Sequence, residues 1–444
     1  MIAKGSPKFA PLVDELIWSA RARDLRVPAA IVQPRSAAEV AAAVRLAGEG
    51  GMKVALRGSG HNYQGAALRD GGLLVDLGGL DRIDIDAGAH RARVGAGVKG
   101  GRLIGELARH GLAFPIGHCA DVALSGYLLS GGIGWNYGEW GPACASVSAI
   151  EMVTADGAAL IATANDHADL FWAARGAGCA FFAAVTGYEL ILHDLPAVSF
   201  ALEAVFDAAS APDVAQWLDT ARAGVDPTTE LICMVGPHHE TGKPSVTLRA
   251  IASGPTGMAA RNKLGPLREL PAEAKLLAAV EETELSFAEL KRFSAMPSGK
   301  RVAADQSWSD RSLGDLLLAV AHLAGGVQSS SAISLTALGQ AALAPGLPDD
   351  VDGALSVAGR CSAGIYALWD GAEHDARHLA WVAKADAALA PLRTGRYIAE
   401  ADLFAGPERV EECFSPEAFA QLTELRKQYD PTGRFFSCLD GGLR

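Results

Sequence analysis

The chain has 444 residues and a net charge of −12, with half of its residues hydrophobic and a fifth charged. That length exceeds one ordinary core, so two domains are expected, and the negative balance argues against nucleic acid or an anionic membrane as a partner. No run reaches the roughly 18 apolar residues of a membrane span, and the stretch up to Trp18 has no continuous apolar segment, so a cytoplasmic protein without a signal peptide is expected.

In chain order, residues 28–32 read as a short strand. Ser36 caps a helix over 37–49, Glu39 completes a capping box, and Gly50 with Gly51 ends the helix. A strand over 53–56 delivers the loop Arg57-Gly58-Ser59-Gly60-His61-Asn62. Residues 73–77 form another apolar strand. Residues 82–86 and 91–94 alternate with period two around a turn at 86–89, the pattern of a hairpin.

Gly95, Gly97 and Gly100 then spell a G-x-G-x-x-G ahead of a helix over 101–110, with Asp121 near the spacing of a ribose-binding acid. A dinucleotide unit needs a second parallel strand ending at that acid, whereas Asp121 lies inside a glycine-rich stretch. The motif is read as an ordinary strand, turn and helix.

That stretch, residues 117–141, mixes Gly117, Gly126, Gly131, Gly132 and Gly134 with long apolar side chains. It reads as backbone packed in a core with one side against something flat. The seven cysteines are scattered and form no CxxC pair, which argues against a disulfide framework or a metal site. Cys119 stands apart because it opens this stretch.

Strands follow over 149–154 and 181–192, with a tight turn at 156–157 and a short helix over 166–174. Pro196 marks a boundary. Beyond it, strands are expected over 200–206, 231–235, 245–252, 332–338 and 363–368. Helices are expected over 211–223, 263–270, 272–280, 313–323 and 374–392, a mix that suggests a sheet covered on one side by helices. A last helix is expected over 417–428, with Pro416 near its first turn.

Together the two loops resemble the berberine-bridge-enzyme-like, FAD-linked oxidases of the vanillyl-alcohol-oxidase type (PCMH-type flavoproteins). The family's Arg-x-Gly-Gly-His loop is matched by residues 57–61. Its Gly-x-Cys, Gly and Gly-Gly spacing is matched without a gap by Gly117-His118-Cys119, Gly126 and Gly131-Gly132. Residues 133–135, 169–176, Tyr429-Asp430-Pro431 and Phe435 also fit, so the likeness runs from about Trp18 to Phe435.

The resemblance implies an α+β, two-domain PCMH-type fold with an antiparallel-sheet substrate domain covered by helices. Its FAD-binding domain would be split over 1–196 and 402–444, with 197–401 binding substrate. It implies covalent FAD, linked through His61 to the flavin 8α carbon and through Cys119 to flavin C6. Arg57, Gly58, Ser59, Gly60, Asn62, Gly117, Val122, Gly126, Gly131, Gly132 and Gly134 would surround the cofactor. His118 reads as a spacer or a local hydrogen-bond donor.

The catalytic positions depart from the family. Tyr127 stands where a histidine is common. The family's Tyr-x-Asn-Tyr becomes Tyr397-Ile398-Ala399-Glu400, which makes Glu400 a candidate base if burial raises its pKa, with a surface carboxylate as the plain alternative. Tyr366 and Trp369 are candidates for the pocket wall or the core. The implied activity is oxidation of a C–H next to O or N in an alcohol, sugar or amine-type small molecule. O2 would be the acceptor and H2O2 the product, in a monomer or homodimer. A dehydrogenase using another acceptor and a catalytically idle flavin-binding protein remain alternatives. The residue three after the linked cysteine, Val122, would lie where O2 approaches, and its small side chain leans towards oxidase.

Overall fold

The computed structural model describes residues 1–294, 299–326, 330–337 and 351–441. A small sheet comes first. Strands β1 (Ala30–Val32), β2 (Val54–Arg57) and β3 (Leu73–Asp76) lie parallel in the order β1-β3-β2, and Ile2–Ala3 pairs antiparallel on the outer edge of β1. The helix Ala37–Glu49 connects β1 to β2. The Ser36 hydroxyl accepts from Glu39 N–H, as expected of its cap. The Glu39 carboxylate reaches past the cap residue and accepts from Arg35 N–H at 2.8 Å, so the reciprocal half of the capping box is shifted by one residue.

A second, antiparallel sheet holds β4 (Ile83–Asp86), β5 (Arg91–Gly95), β6 (Val147–Val153), β7 (Ala159–Ala162) and β8 (Ala184–Ile191) in the order β4-β5-β8-β6-β7. The G-x-G-x-x-G runs from the end of β5, between β4 and β8, to the start of the helix Gly100–Ala108 and serves close packing. A Cβ on Gly95 would sit 2.1 Å from the Leu80 carbonyl oxygen, and one on Gly97 would sit 2.3 Å from that of Leu77. Asp121 pairs with Lys99 at 3.2 Å on the surface.

The third sheet has eight strands: β9 (Val198–Asp207), β10 (Glu230–Pro237), β11 (Pro244–Gly254), β12 (Glu281–Leu285), β13 (Arg301–Ser309), β14 (Ala332–Ala337), β15 (Cys361–Trp369) and β16 (Gly395–Arg396). Their order is β12-β9-β11-β10-β14-β15-β13-β16, antiparallel throughout. Period-two alternation gives this sheet two different faces. Leu231, Cys233, Val235, Ile333, Leu335, Ile365 and Ala367 pack under the helices Ala211–Ala221, Leu313–Val320 and Asp375–Leu389. Ile232, Met234, Ser334, Thr336, Ser362 and Tyr366 line a cavity on the opposite face.

Several expectations differ from this picture. Residues 263–270 and 272–280 are not two helices. A helix over Gly257–Lys263 gives way to a 3-10 turn at Gly265–Arg268, and no helix follows before β12. Gly265 and Pro266 end the first helix, and Pro271 precedes the second stretch, which outweighs its alanine-rich composition. Strands β12 and β13 are additional. β13 is buried along its length and sits between β15 and β16, so it shows little of the apolar–polar alternation that marks a half-buried strand. The last residue of the strand expected over 332–338 lies outside the described residues. Trp369 is core: it is fully buried, stacks on His378 and donates to Asp375 at 2.8 Å.

The C-terminal segment returns to the first sheet. Phe435 bridges Val54 in parallel, and Arg434 donates to the Ala47 and Met52 carbonyls. No helix among the described residues is long and apolar enough to cross a membrane.

Candidate active site

The loop after β2 is shaped by Arg57. Its guanidinium donates to the carbonyls of Leu16 (2.9 Å), Gly58 (2.9 Å) and Ser59 (2.8 Å) and to Asp76 Oδ1 (2.7 Å). Those donors are spent on the loop itself. Gly60 turns at φ +69°, where a Cβ would meet the Leu16 carbonyl oxygen at 2.0 Å. The loop lies against the 117–126 segment. Ser59 Oγ accepts from Ala123 N–H at 3.0 Å, and Gly58 is so close to Ser125 that a Cβ would reach its Oγ at 2.0 Å.

This contact brings His61 and Cys119 onto one cavity of about 670 Å³, which Val122, Tyr366, Tyr397 and Glu400 also line. His61 Nε2 is buried with no protein partner among the described residues. Burial holds its pKa below the ordinary histidine value, which favours the neutral imidazole. Cys119 is half-buried and its thiol donates to the Ser294 carbonyl at 2.8 Å. Burial, with Glu400 and Asp121 nearby, pushes that thiol up to about 12.

The glycine-rich stretch contributes differently from the expectation. Gly117 and Gly126 line the cavity, and nothing lies within 4 Å of where a Cβ on Gly126 would point. Gly131, Gly132 and Gly134 lie off the lining, and their missing side chains serve packing. A Cβ on Gly131 would strike Leu355 at 2.8 Å, one on Gly132 the Tyr127 ring at 2.9 Å, and one on Gly134 the Ile116 carbonyl oxygen at 2.0 Å. The Tyr127 ring reaches the cavity, but its hydroxyl donates to the Pro115 carbonyl at 3.0 Å. That donor is therefore spent on the fold. The Tyr397 hydroxyl oxygen accepts from Gly132 and Ile133 N–H at 3.3 and 3.4 Å, which ties residues 397–400 to the same stretch.

Asn62 makes a second tie. Its amide donates to the Ala399 carbonyl at 2.9 Å, and its Oδ1 accepts from Gln64 and Ala66 N–H. Glu400 is thereby held over the cavity, and Glu400 Oε2 accepts from the Tyr366 hydroxyl at 2.6 Å. Burial raises the Glu400 carboxyl above its ordinary range, while Tyr366 and His118 pull it down less strongly. The Tyr366 ring reaches it by lying across Gly364, where a Cβ would be 2.5 Å from the Tyr366 hydroxyl oxygen.

Three participants were not foreseen from the sequence. Gln306, 8% exposed, has a buried Oε1 without a partner among the described residues and lines the cavity. Ser294 receives the Cys119 thiol. Glu230, at the start of β10, meets His118 Nε2 at 2.6 Å. The glycine-flanked loops pointed to His61 and Cys119, but no local signal marks the residues brought in by other strands.

Residues 28–163 match the model of the FAD binding domain family. Over 94% of this chain and 92% of its own length, the (R)-6-hydroxynicotine oxidase of Paenarthrobacter nicotinovorans is 29% identical. The crystal structure of 6-hydroxy-D-nicotine oxidase from Arthrobacter nicotinovorans superposes with a TM-score of 0.82 at 25% identity, covering 98% of this chain and 95% of that one. The BBE-like 1 protein of Physcomitrella patens has the same fold, with a TM-score of 0.85 at 19% identity over 100% of this chain and 96% of its own.

Proposed function

We propose that the chain is an FAD-linked oxidoreductase with the two-domain fold of the berberine-bridge-enzyme-like, PCMH-type flavoproteins, that it holds FAD through both His61 and Cys119, and that it oxidises a small molecule at a C–H bond next to oxygen or nitrogen. The observation that carries this reading is the convergence of His61, Cys119 and Glu400 on one cavity. The residues present fit the cofactor. A buried imidazole nitrogen and a buried Ser125 hydroxyl both lack partners among the described residues, and Gly126 leaves open space. When bound, FAD would supply the hydride-accepting chemistry and the two-electron reduction of O2 to H2O2. Glu400 takes the proton of the substrate O–H or N–H at its carboxylate, and Tyr366 orients that carboxylate. The chain's own contribution is therefore attachment, orientation and one proton transfer. The relative named (R)-6-hydroxynicotine oxidase supports a small-molecule substrate and O2 as acceptor.

We read residues 1–196 and 402–444 as the FAD-binding part and 197–401 as the substrate-binding part. Support comes from the Phe435–Val54 bridge and from the shared packing of Val410, Phe414, Leu422 and Phe435 with the first two sheets.

Two results test the attachment and the acceptor. After acid denaturation the yellow colour is expected to stay with the protein, and proteolysis is expected to yield a flavin peptide containing both His61 and Cys119. Flavin free in the supernatant would remove both links, and a flavin peptide with His61 alone would remove the second. Val122 is half-buried on the cavity wall, and an added methylene is not absorbed in a close-packed interior. Val122→Leu is expected to slow the return of colour when substrate-reduced protein meets oxygenated buffer in a stopped-flow cell, while substrate bleaching stays unchanged. Equal rates would show that Val122 is not the oxygen gate, and slow recovery in the unsubstituted protein would make it a dehydrogenase.

A further inference from the structure

His118 sits between Gly117 and Cys119 in the loop packed on the first two sheets, whereas Glu230 opens β10 of the eight-stranded sheet. Their side chains meet at 2.6 Å. The Glu230 side chain is 7% exposed and its Oε2 has no partner among the described residues. A carboxylate so enclosed needs a cation, because burying an unpaired charge is far more costly than burying a paired one. Arg249 is nearby, but its guanidinium is engaged by Glu203 at 2.8 and 2.5 Å and lies over Phe293. His118 is the cation left for Glu230.

We propose that the His118–Glu230 pair is a positioning element for Glu400: it puts one positive charge on the wall of the cavity that Glu400 also lines, supplied across the boundary between two sheets, and so sets how readily Glu400 accepts a proton. The proposal rests on reading Glu400 as the base. His118 and Glu400 line the same cavity. The ionisable groups acting on Glu400 or acted on by it are the Tyr366 hydroxyl, Tyr397, Tyr63, Cys119 and His118. Of these, His118 brings positive charge, while Arg249, which lines the same cavity, is engaged by Glu203. Around His118 stand Glu230, Glu400 and Arg249. Burial works against its charged form, and Glu230 more than offsets this, so its pKa lies above the ordinary histidine value. A cation beside Glu400 favours the carboxylate, against the burial that opposes it. With His118 neutral, Glu400 would hold its proton to higher pH and be a poorer acceptor near neutrality.

The midpoints are titrated in the holoenzyme without substrate. Glu400 is followed by the infrared carbonyl stretch of its protonated form, assigned by its loss in Glu400→Gln. His118 is followed by its imidazole NMR signal, assigned by its loss in His118→Gln. Glutamine at 118 can still donate to Glu230 but carries no charge. His118→Gln is expected to raise the Glu400 midpoint by about one pH unit. Because interaction between two sites is mutual, Glu400→Gln is expected to lower the His118 midpoint by a similar amount. This second arm stands even if His118→Gln fails to fold. Unmoved midpoints in the variants that fold would overturn the proposal. A Glu400→Gln protein that turns over normally would instead overturn the reading of Glu400 as base, whatever the midpoints do.

Discussion

Glu400→Gln is expected to slow substrate bleaching of the flavin by about 10²–10⁴-fold, the usual contribution of a positioned acid or base. Glutamine keeps the shape of the side chain and can still meet the Tyr366 hydroxyl, so the loss reports the missing proton acceptor. The pH dependence has a definite sign. As the proposed base Glu400 must be ionised to act, and burial raises its carboxyl above the ordinary range. In the unsubstituted protein, bleaching is therefore expected to be fast above the raised pKa and to fall as pH drops through it. Glu400→Gln is expected to lose that acid limb. Gly364→Ala supplies a companion result. An added Cβ would sit 2.5 Å from the Tyr366 hydroxyl oxygen and 2.6 Å from a ring carbon, so the ring must move and its 2.6 Å bond to Glu400 must lengthen. A smaller loss of rate is expected, with the flavin still attached. Rapid-mixing absorbance with any substrate found by a peroxide-coupled screen measures both, and an unchanged rate in Glu400→Gln would assign the proton transfer elsewhere.

The largest loss of stability is expected at Asp305. Asp305 is 2% exposed and takes ion pairs from Arg396 and from Arg409 at 2.6 Å. It also accepts from the backbone N–H groups of Gln306 and Asp402 at 3.0 and 3.1 Å. The pair thus joins β13 to the segment that leads out of the eight-stranded sheet. Asp305→Ala leaves the Arg396 guanidinium buried at 3% exposure, shared between Asp386 and Glu412. Breaking one partner from such a buried set costs about 3–5 kcal/mol. By contrast, Asp84→Ala removes a pair whose side chains are 81% and 49% exposed, and its effect is expected to stay within about 1 kcal/mol. Urea unfolding followed by flavin fluorescence and by circular dichroism measures both. Equal midpoints for the two variants would show that the Asp305 network is not what holds this junction.

Much of the local structure is legible in the sequence because it depends on neighbours. Ser36 caps its helix through residues three positions away, and the hairpin of β4 and β5 follows from a period of two around a short turn. The glycine-flanked His61 and Cys119 are conspicuous for the same reason. Local signals fail where a residue's role depends on a distant surface. The helix-like stretch 272–280 forms no helix, and β13 shows no alternation because it is buried along its length. The three glycines at 131, 132 and 134 look alike in sequence to Gly126, yet they face Leu355, Tyr127 and Ile116 rather than the cavity.

The amino-acid order by itself determined the loops, the caps, the alternation of the strands and the presence of a cysteine and a histidine set among glycines. Tertiary structure alone decided that Asn62 holds Ala399, that Tyr366 lies across Gly364 to reach Glu400, and that Glu230 meets His118. Those contacts join residues far apart in the chain. They depend on strand register and on the seating of one sheet against another, and neither leaves a local period for the sequence to display.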